Sequence, residues 1–164
     1  MVNKAKRKGD TFERQIVELH KTNGISCART LLATQAGRHN EFDFTITHYG
    51  VEWFGEAKKR SNGSGFKSTY KYLQDDGFFS YENGIYLCSF ETYIFLAREA
   101  VMPTEINTYV STTPITTPKT IVSWLEKAEV LFCKMNRKDI LVFFDNRLID
   151  KLSLDNNSNS DTLV

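Results

Sequence analysis

The amino-acid sequence predicts a single domain of helices and strands, an α/β chain in the broad sense, on three observations. Apolar residues recur at helical spacing in 11–20 and 118–129. Two stretches, 42–60 and 130–144, read as β-hairpins about short turns. The 164 residues are 41% hydrophobic and 13% aromatic, enough to bury one real core.

Taken in order, "MVNKAKRKG" (1–9) reads as a basic flexible arm, and Phe12, Ile16 and Leu19 place a helix over about 11–20, stopped by Asn23-Gly24. "ISCARTLLAT" (25–34) reads as a strand and "QAGRHNE" (35–41) as a polar loop hinged at Gly37. After the hairpin, "SNGSG" (61–65) is a break, and 66–74 is amphipathic, with Phe66, Tyr70 and Leu73 opposite Lys67, Lys71 and Gln74. "GIYLCSF" (84–90) and "TYIFLA" (92–97) read as strands, 108–118 as a connection, and "PKTIVSWLEKAE" (118–129) as a helix. A second hairpin turns at Asn136, Arg137 and Lys138. The domain spans 1–152, and 153–164 reads as a disordered polar tail.

No run approaches the roughly 20 apolar residues that cross a bilayer, so an intracellular, cytoplasmic protein without membrane contact is expected. Cys27, Cys88 and Cys133 lie far apart in apolar surroundings and read as reduced core thiols. His20, His39 and His48 read as surface or turn residues, with His39 in the loop near the candidate site. No internal repeat, phosphate-binding P-loop or nucleophile-elbow motif occurs.

The hairpin "FDFTITHYGVEWFGEAKKR" (42–60) holds charge among aromatics. A two-residue turn at Tyr49-Gly50 pairs His48 with Val51, so partner numbers sum to 99 and Asp43 faces Glu56. Directly opposed side chains have Cβ atoms only ~4.5–5.5 Å apart, and Lys58 shares the face of Glu56. Carboxylates that close raise each other's pKa unless a cation lies between them, and hard divalent ions prefer such oxygens. The pattern predicts Mg²⁺ at Asp43 and Glu56. Lys58 is suited to stabilising charge on a phosphate oxygen, and the three together describe phosphodiester hydrolysis.

The signature of an Asp followed by (D/E)-x-K on the next strand resembles that of the PD-(D/E)xK nucleases, with Asp43 and Glu56-Ala57-Lys58 in the matching places. "KRKGDTFERQIVELHKTNGISCART" resembles the opening of the archaeal-type Holliday-junction resolvases, a likeness that covers roughly residues 4–75. Phe42 stands where that family usually has Pro. The resemblance implies a restriction-endonuclease-like α/β fold, a central mixed β-sheet flanked by helices, with Glu13 completing the metal site. It further implies Mg²⁺ with Mn²⁺ able to substitute, four-way-junction DNA as substrate, and a homodimer that makes two symmetric cuts. Phe78, Phe79, Tyr81, Tyr93 and Trp124 are candidates for the dimer interface or for core packing.

Charge agrees with a polyanionic partner. Residues 1–71 hold 13 Lys+Arg against 7 Asp+Glu, a net of +6, and the remainder holds 8 against 13, a net of −5. Lys4, Lys6, Arg7 and Lys8 read as a DNA-contacting arm. Gln35, Arg38 and the loop around them, with Arg29, Lys59, Arg60, Lys67 and Lys71, are candidate phosphate contacts. Other readings stay open: Asp10 and Glu13 as a capping box, Glu41 as a rival or auxiliary acid, Asp43 and Glu56 as exposed cross-strand partners of basic residues. For the whole chain the alternatives are another nuclease of this type acting on duplex or branched DNA, and a non-catalytic DNA-binding protein.

Overall fold

The computed structural model describes residues 4–30, 42–99, 106–110 and 114–153, with the backbone alone for 4–8. Helix α1 (Lys4–Thr22) buries Phe12 and Ile16, and it stops where Gly24 takes φ 78° and the backbone N–H of Ile25 donates to His20 O at 3.0 Å. It begins well before the apolar pattern does, so residues 4–9 are helical rather than an arm. Lys, Ala and Arg are good helix formers, and the single Gly9 costs only ~1 kcal/mol.

The strands are β1 (Ser26–Arg29), β2 (Phe44–His48), β3 (Val51–Arg60), β4 (Gly77–Ser80), β5 (Tyr86–Ser89), β6 (Asn107–Val110), β7 (Val130–Met135) and β8 (Leu141–Phe144). Among the described residues they form one sheet in the order β1-β2-β3-β7-β8-β5-β4-β6. The β3–β7 and β4–β6 pairs are parallel and the rest antiparallel, so the chain has an α/β fold with a central mixed sheet. Helices α2 (Phe90–Glu99), α3 (Lys119–Leu125) and α4 (146–153) and a 3-10 segment (Lys67–Tyr72) complete the described elements.

Side-chain alternation sorts the interior into two cores. Val130, Phe132, Val142 and Phe144 join Phe12 and Ile16 of α1, Tyr93 of α2 and Leu148 of α4. Leu131, Cys133, Leu141 and Phe143 join Phe66 and the α3 residues Ile121 and Leu125 on the other face. Strands β7 and β8 are therefore apolar on both faces, the pattern of a covered sheet. All three cysteines are buried free thiols, as their surroundings predict.

Three expectations are corrected. The stretch 92–97 is helix, not strand: Ser89 Oγ accepts the N–H of Thr92 at 3.1 Å as an N-cap, and a short apolar run has no period that separates the two. The interval 108–118 is not all connection, because residues 107–110 form edge strand β6. Strand β6 lies so close to β4 that a Cβ on Gly77 would meet the carbonyl of Asn107. Helix α3 is shorter than 118–129, beginning after Pro118 and ending at Leu125.

A further correction concerns His20, which is wholly buried. Its Nδ1–H donates to Ile16 O at 2.8 Å, its Nε2 accepts from Tyr93 Oη at 2.7 Å, and that same Tyr93 oxygen accepts from Trp53 Nε1 at 3.1 Å. This chain of donors ties α1, α2 and β3 together, and it works only with a neutral imidazole. Burial pushes the His20 pKa down to about 4. Because the unfolded chain then binds the proton first, stability is full above pH ~6.5 and falls as the pH drops toward 4. The loss is about 3 kcal/mol at about 1.4 kcal/mol per pH unit. In chemical denaturation of the unmodified protein and His20→Gln, the unmodified protein's advantage is expected to shrink by about that amount between pH 7 and 4. An advantage independent of pH refutes this account of His20.

Candidate active site

Tyr49 and Gly50 both take positive φ, 49° and 81°, the combination of a type I′ turn. The turn pairs His48 with Val51 and Phe44 with Gly55, so partner numbers sum to 99 as the sequence predicts. His48 is the last residue of β2, beside the turn, its ring 4.3 Å from that of Tyr49.

The ladder opens where the charges begin. Asp43 N–H still donates to Gly55 O at 2.9 Å, but the next donor on β3, Ala57 N–H, bonds Asp43 Oδ2 at 2.9 Å instead of a main-chain carbonyl. On its other side the Asp43 carbonyl accepts the N–H of Thr30 at 2.8 Å. The carboxylate is thus built into the end of the sheet. Phe42 stacks on Phe54 at 4.3 Å.

Glu56 and Lys58 stand in register with Leu131 and Cys133, on the face that α3 covers. Lys58 Nζ lies 3.6 Å from Glu56 Oε1 and 5.4 Å from the centre of the Trp124 ring. Glu56 Oε2 is buried with no hydrogen-bond partner. Burial raises the Glu56 pKa, Lys58 opposes that, and the Asp43 charge raises it further.

Glu13 approaches from the opposite face. Its carboxylate receives Arg29 at 2.6 Å, and the same guanidinium nitrogen bonds Asp10 at 3.0 Å. The capping-box reading fails, because α1 begins at Lys4 and Asp10 lies inside it. Burial raises the Glu13 pKa, Asp43 adds to this and Arg29 opposes it. The charge of Asp43 therefore acts on both Glu13 and Glu56.

The donor set suits a hard divalent cation at Asp43 and Glu56: oxygen ligands only, one of them buried and unpartnered, with mutual repulsion that a cation removes. Glu13 is held by Arg29, and among the described residues no group of three or more His, Cys, Asp or Glu forms a ready cage.

The expected DNA contacts divide. Arg60 Cζ lies 5.6 Å from the Trp124 ring, Lys67 and Lys71 are exposed on the 3-10 segment, and Lys59 is partly buried on β3. Arg29, expected on DNA, is engaged with the acids of α1. Lys4, Lys6, Arg7 and Lys8 lie on helical backbone, while Gln35, Arg38, His39 and Glu41 fall outside the described residues, as does 154–164 of the tail. Sequence reasoning missed Lys127, whose charge lowers the Glu56 pKa, and the place of Trp124 beside Lys58. Both sit just ahead of β7, and only the parallel pairing of Val130 with Gly55 brings that segment to Glu56.

Compared with known proteins, the chain matches no family model and no curated sequence. No helix among the described residues is long and apolar enough to cross a membrane.

If Asp43 and Glu56 take a divalent cation, Mg²⁺ or Mn²⁺ should raise the melting temperature of the unmodified protein, by RT ln(1 + [L]/Kd) in free energy. Glu56→Gln should abolish that rise. It should fold at least as stably at neutral pH, since a carboxyl pKa raised on folding means that ionised Glu56 opposes folding, a penalty that grows as the pH rises past the unfolded value and is complete above the folded one. Glu13→Gln should keep a smaller rise if Glu13 joins the ligands and the whole rise if it serves only Arg29. An undiminished shift in Glu56→Gln excludes the site.

Proposed function

We propose that this protein is a Mg²⁺-dependent endodeoxyribonuclease that cuts branched DNA, four-way junctions foremost, as a cytoplasmic homodimer. The observation that carries the reading is the buried, unpartnered Oε2 of Glu56 beside Asp43 at the opened end of the hairpin, with Lys58 on the same face. A protein that only bound DNA would gain nothing from a carboxylate with one buried oxygen left unpartnered, which opposes both folding and polyanion binding. The net charge of +6 over residues 1–71 favours a nucleic-acid substrate. The family resemblance of the Asp43 and Glu56-Ala57-Lys58 signature supplies the preference for junctions and the dimer.

In hydrolysis one water adds across one P–O bond, leaving a phosphate monoester on one fragment and a hydroxyl on the other. Bound Mg²⁺ supplies Lewis acidity and a more acidic water. Asp43 and Glu56 hold that ion, and the Ala57 N–H on Asp43 Oδ2 fixes the angle of the carboxylate. Lys58 offers its ammonium to the phosphate oxygen on which charge grows. Arg60, Lys67 and Lys71 hold flanking phosphates without reading bases.

The direct test compares Mg²⁺-dependent cleavage of a four-way junction with that of a linear duplex of the same arms. Faster junction cleavage supports the reading, equal cleavage points to a general DNase, and no cleavage of either refutes it. Asp43→Asn and Glu56→Gln should each lose about a hundredfold or more in rate while binding DNA as tightly or more so, because a negative charge beside the phosphates is gone. Retained turnover in both refutes the assignment of these acids.

For the phosphate contacts, Lys67→Ala and Lys71→Ala should weaken binding to all DNA sequences alike. Each should reduce the slope of log affinity against log salt by about 0.9 on duplex arms. An unchanged slope makes them bystanders.

A further inference from the structure

The indole of Trp124 carries two cations of β3, with Lys58 Nζ 5.4 Å and Arg60 Cζ 5.6 Å from its ring. Lys58 and Arg60 are two residues apart on one strand and so project from the same face, the face that α3 covers. Trp124 is fixed from behind. Phe66 meets it edge-on at 6.4 Å, and the backbone of Gly65, at φ +93°, comes so near that a Cβ there would sit 3.3 Å from Trp124 Cη2 and 3.0 Å from Thr120 Cγ2.

This matters for Lys58 because its other hold is weak. The separation of 3.6 Å from Glu56 is long for a charge-assisted hydrogen bond, and the lysine side chain keeps 25% of its surface in solvent. A flexible four-carbon stem held by that contact alone would sample many rotamers. A tighter pair would instead spend the ammonium on Glu56. An aromatic face attracts the cation without using an N–H donor, so the ammonium stays near the carboxylate with its donors available for an anion.

We infer that Trp124 is a positioning residue for DNA cleavage: its indole holds Lys58 beside Glu56 and presents Arg60 to the neighbouring phosphate. The inference rests on the nuclease reading of the same site. In this role Trp124 acts through the two side chains on its face.

The test uses the full chain as Trp124→Phe, Trp124→Leu and Leu87→Ala. Leu87 is buried in the same core but lies on β5, so its truncation controls for lost stability. Single-turnover cleavage of a four-way junction at saturating DNA, well below each melting temperature, reads Lys58; DNA affinity, measured separately, reads Arg60. Trp124→Leu should lose about tenfold or more in rate, with Trp124→Phe within about threefold of the unmodified protein and Leu87→Ala unchanged. In NMR the Lys58 Hε signals should lie upfield of free lysine in the unmodified protein, through the ring current, and return to the free value in Trp124→Leu. Equal rates for Trp124→Leu and the unmodified protein, equal losses in the Phe and Leu variants, or Lys58 signals without upfield displacement would each overturn the inference and leave the nuclease reading standing. An unmodified protein that cleaves no DNA overturns both.

Discussion

The register of the β2–β3 hairpin is the constraint on which the site depends. Side chains alternate along a strand, so a slip of one residue would carry Glu56 and Lys58 into the core that holds Trp53 and Phe132. Two things forbid the slip. The turn accepts positive φ at both Tyr49 and Gly50, which only a two-residue connection of this hand requires. Phe44, Ile46 and Trp53 are each wholly buried on one face, and all three would be displaced together. Gly55 then lets the strands close tightly just before the ladder opens, since a Cβ there would lie 3.1 Å from the Phe132 ring and 3.3 Å from Ile46 and Val130.

A second acid nearby shows what a structural carboxylate looks like in this fold. Glu129 precedes β7, accepts the N–H of Phe54 at 3.1 Å on Oε1, and is bridged by Lys151 at 2.8 Å on Oε1 and 2.7 Å on Oε2. Both of its oxygens are satisfied, and it joins β3 to α4. Glu56, two residues beyond Phe54, has one long ion pair and one buried oxygen with nothing to accept. The same sheet end can therefore satisfy a carboxylate fully. Glu56 is left less satisfied than Glu129, as the proposed role of cation ligand requires, and this carries a cost to folding.

What the sequence made legible was what local chemistry decides. Tyr49-Gly50 and Asn136 to Lys138 announced both hairpins, and the first set the register from His48 with Val51 to Phe44 with Gly55, at whose open end Asp43 and Glu56 stand. Reduced thiols followed from spacing and surroundings. The failures share one cause, which is tertiary context. The run 92–97 is apolar on nearly every side because α2 is buried between neighbours, and this erases the period that distinguishes helix from strand. Strand β6 has little apolar content and exists because β4 offers an edge at Gly77. His20 read as a surface or turn residue, whereas its ring bonds Tyr93, 73 positions away in the chain, which in turn accepts from Trp53. Arg29 was read as a DNA contact because nothing local reveals that α1 will bring Asp10 and Glu13 to it.

The buried histidine also bears on the site. Trp53 precedes Glu56 by three residues on β3, and His20 follows Glu13 by seven on α1, about two helical turns. The chain Trp53 to Tyr93 to His20 thus locks the strand that carries one acid to the helix that carries another, through hydrogen bonds of 3.1 and 2.7 Å in a dry interior. Asp43, whose charge acts on both acids, lies where those two elements approach the open ladder. Distances across such a gap need to hold to within about 0.5 Å for a shared ion or a positioned water to function. Surface ion pairs such as Arg29 with Asp10 are too weak to hold α1 so closely by themselves. A satisfied polar chain in the core specifies one arrangement of helix on sheet where apolar packing alone would accept several, and that gives a physical reason for this core to include a histidine, a tyrosine and a tryptophan that hydrogen-bond one another.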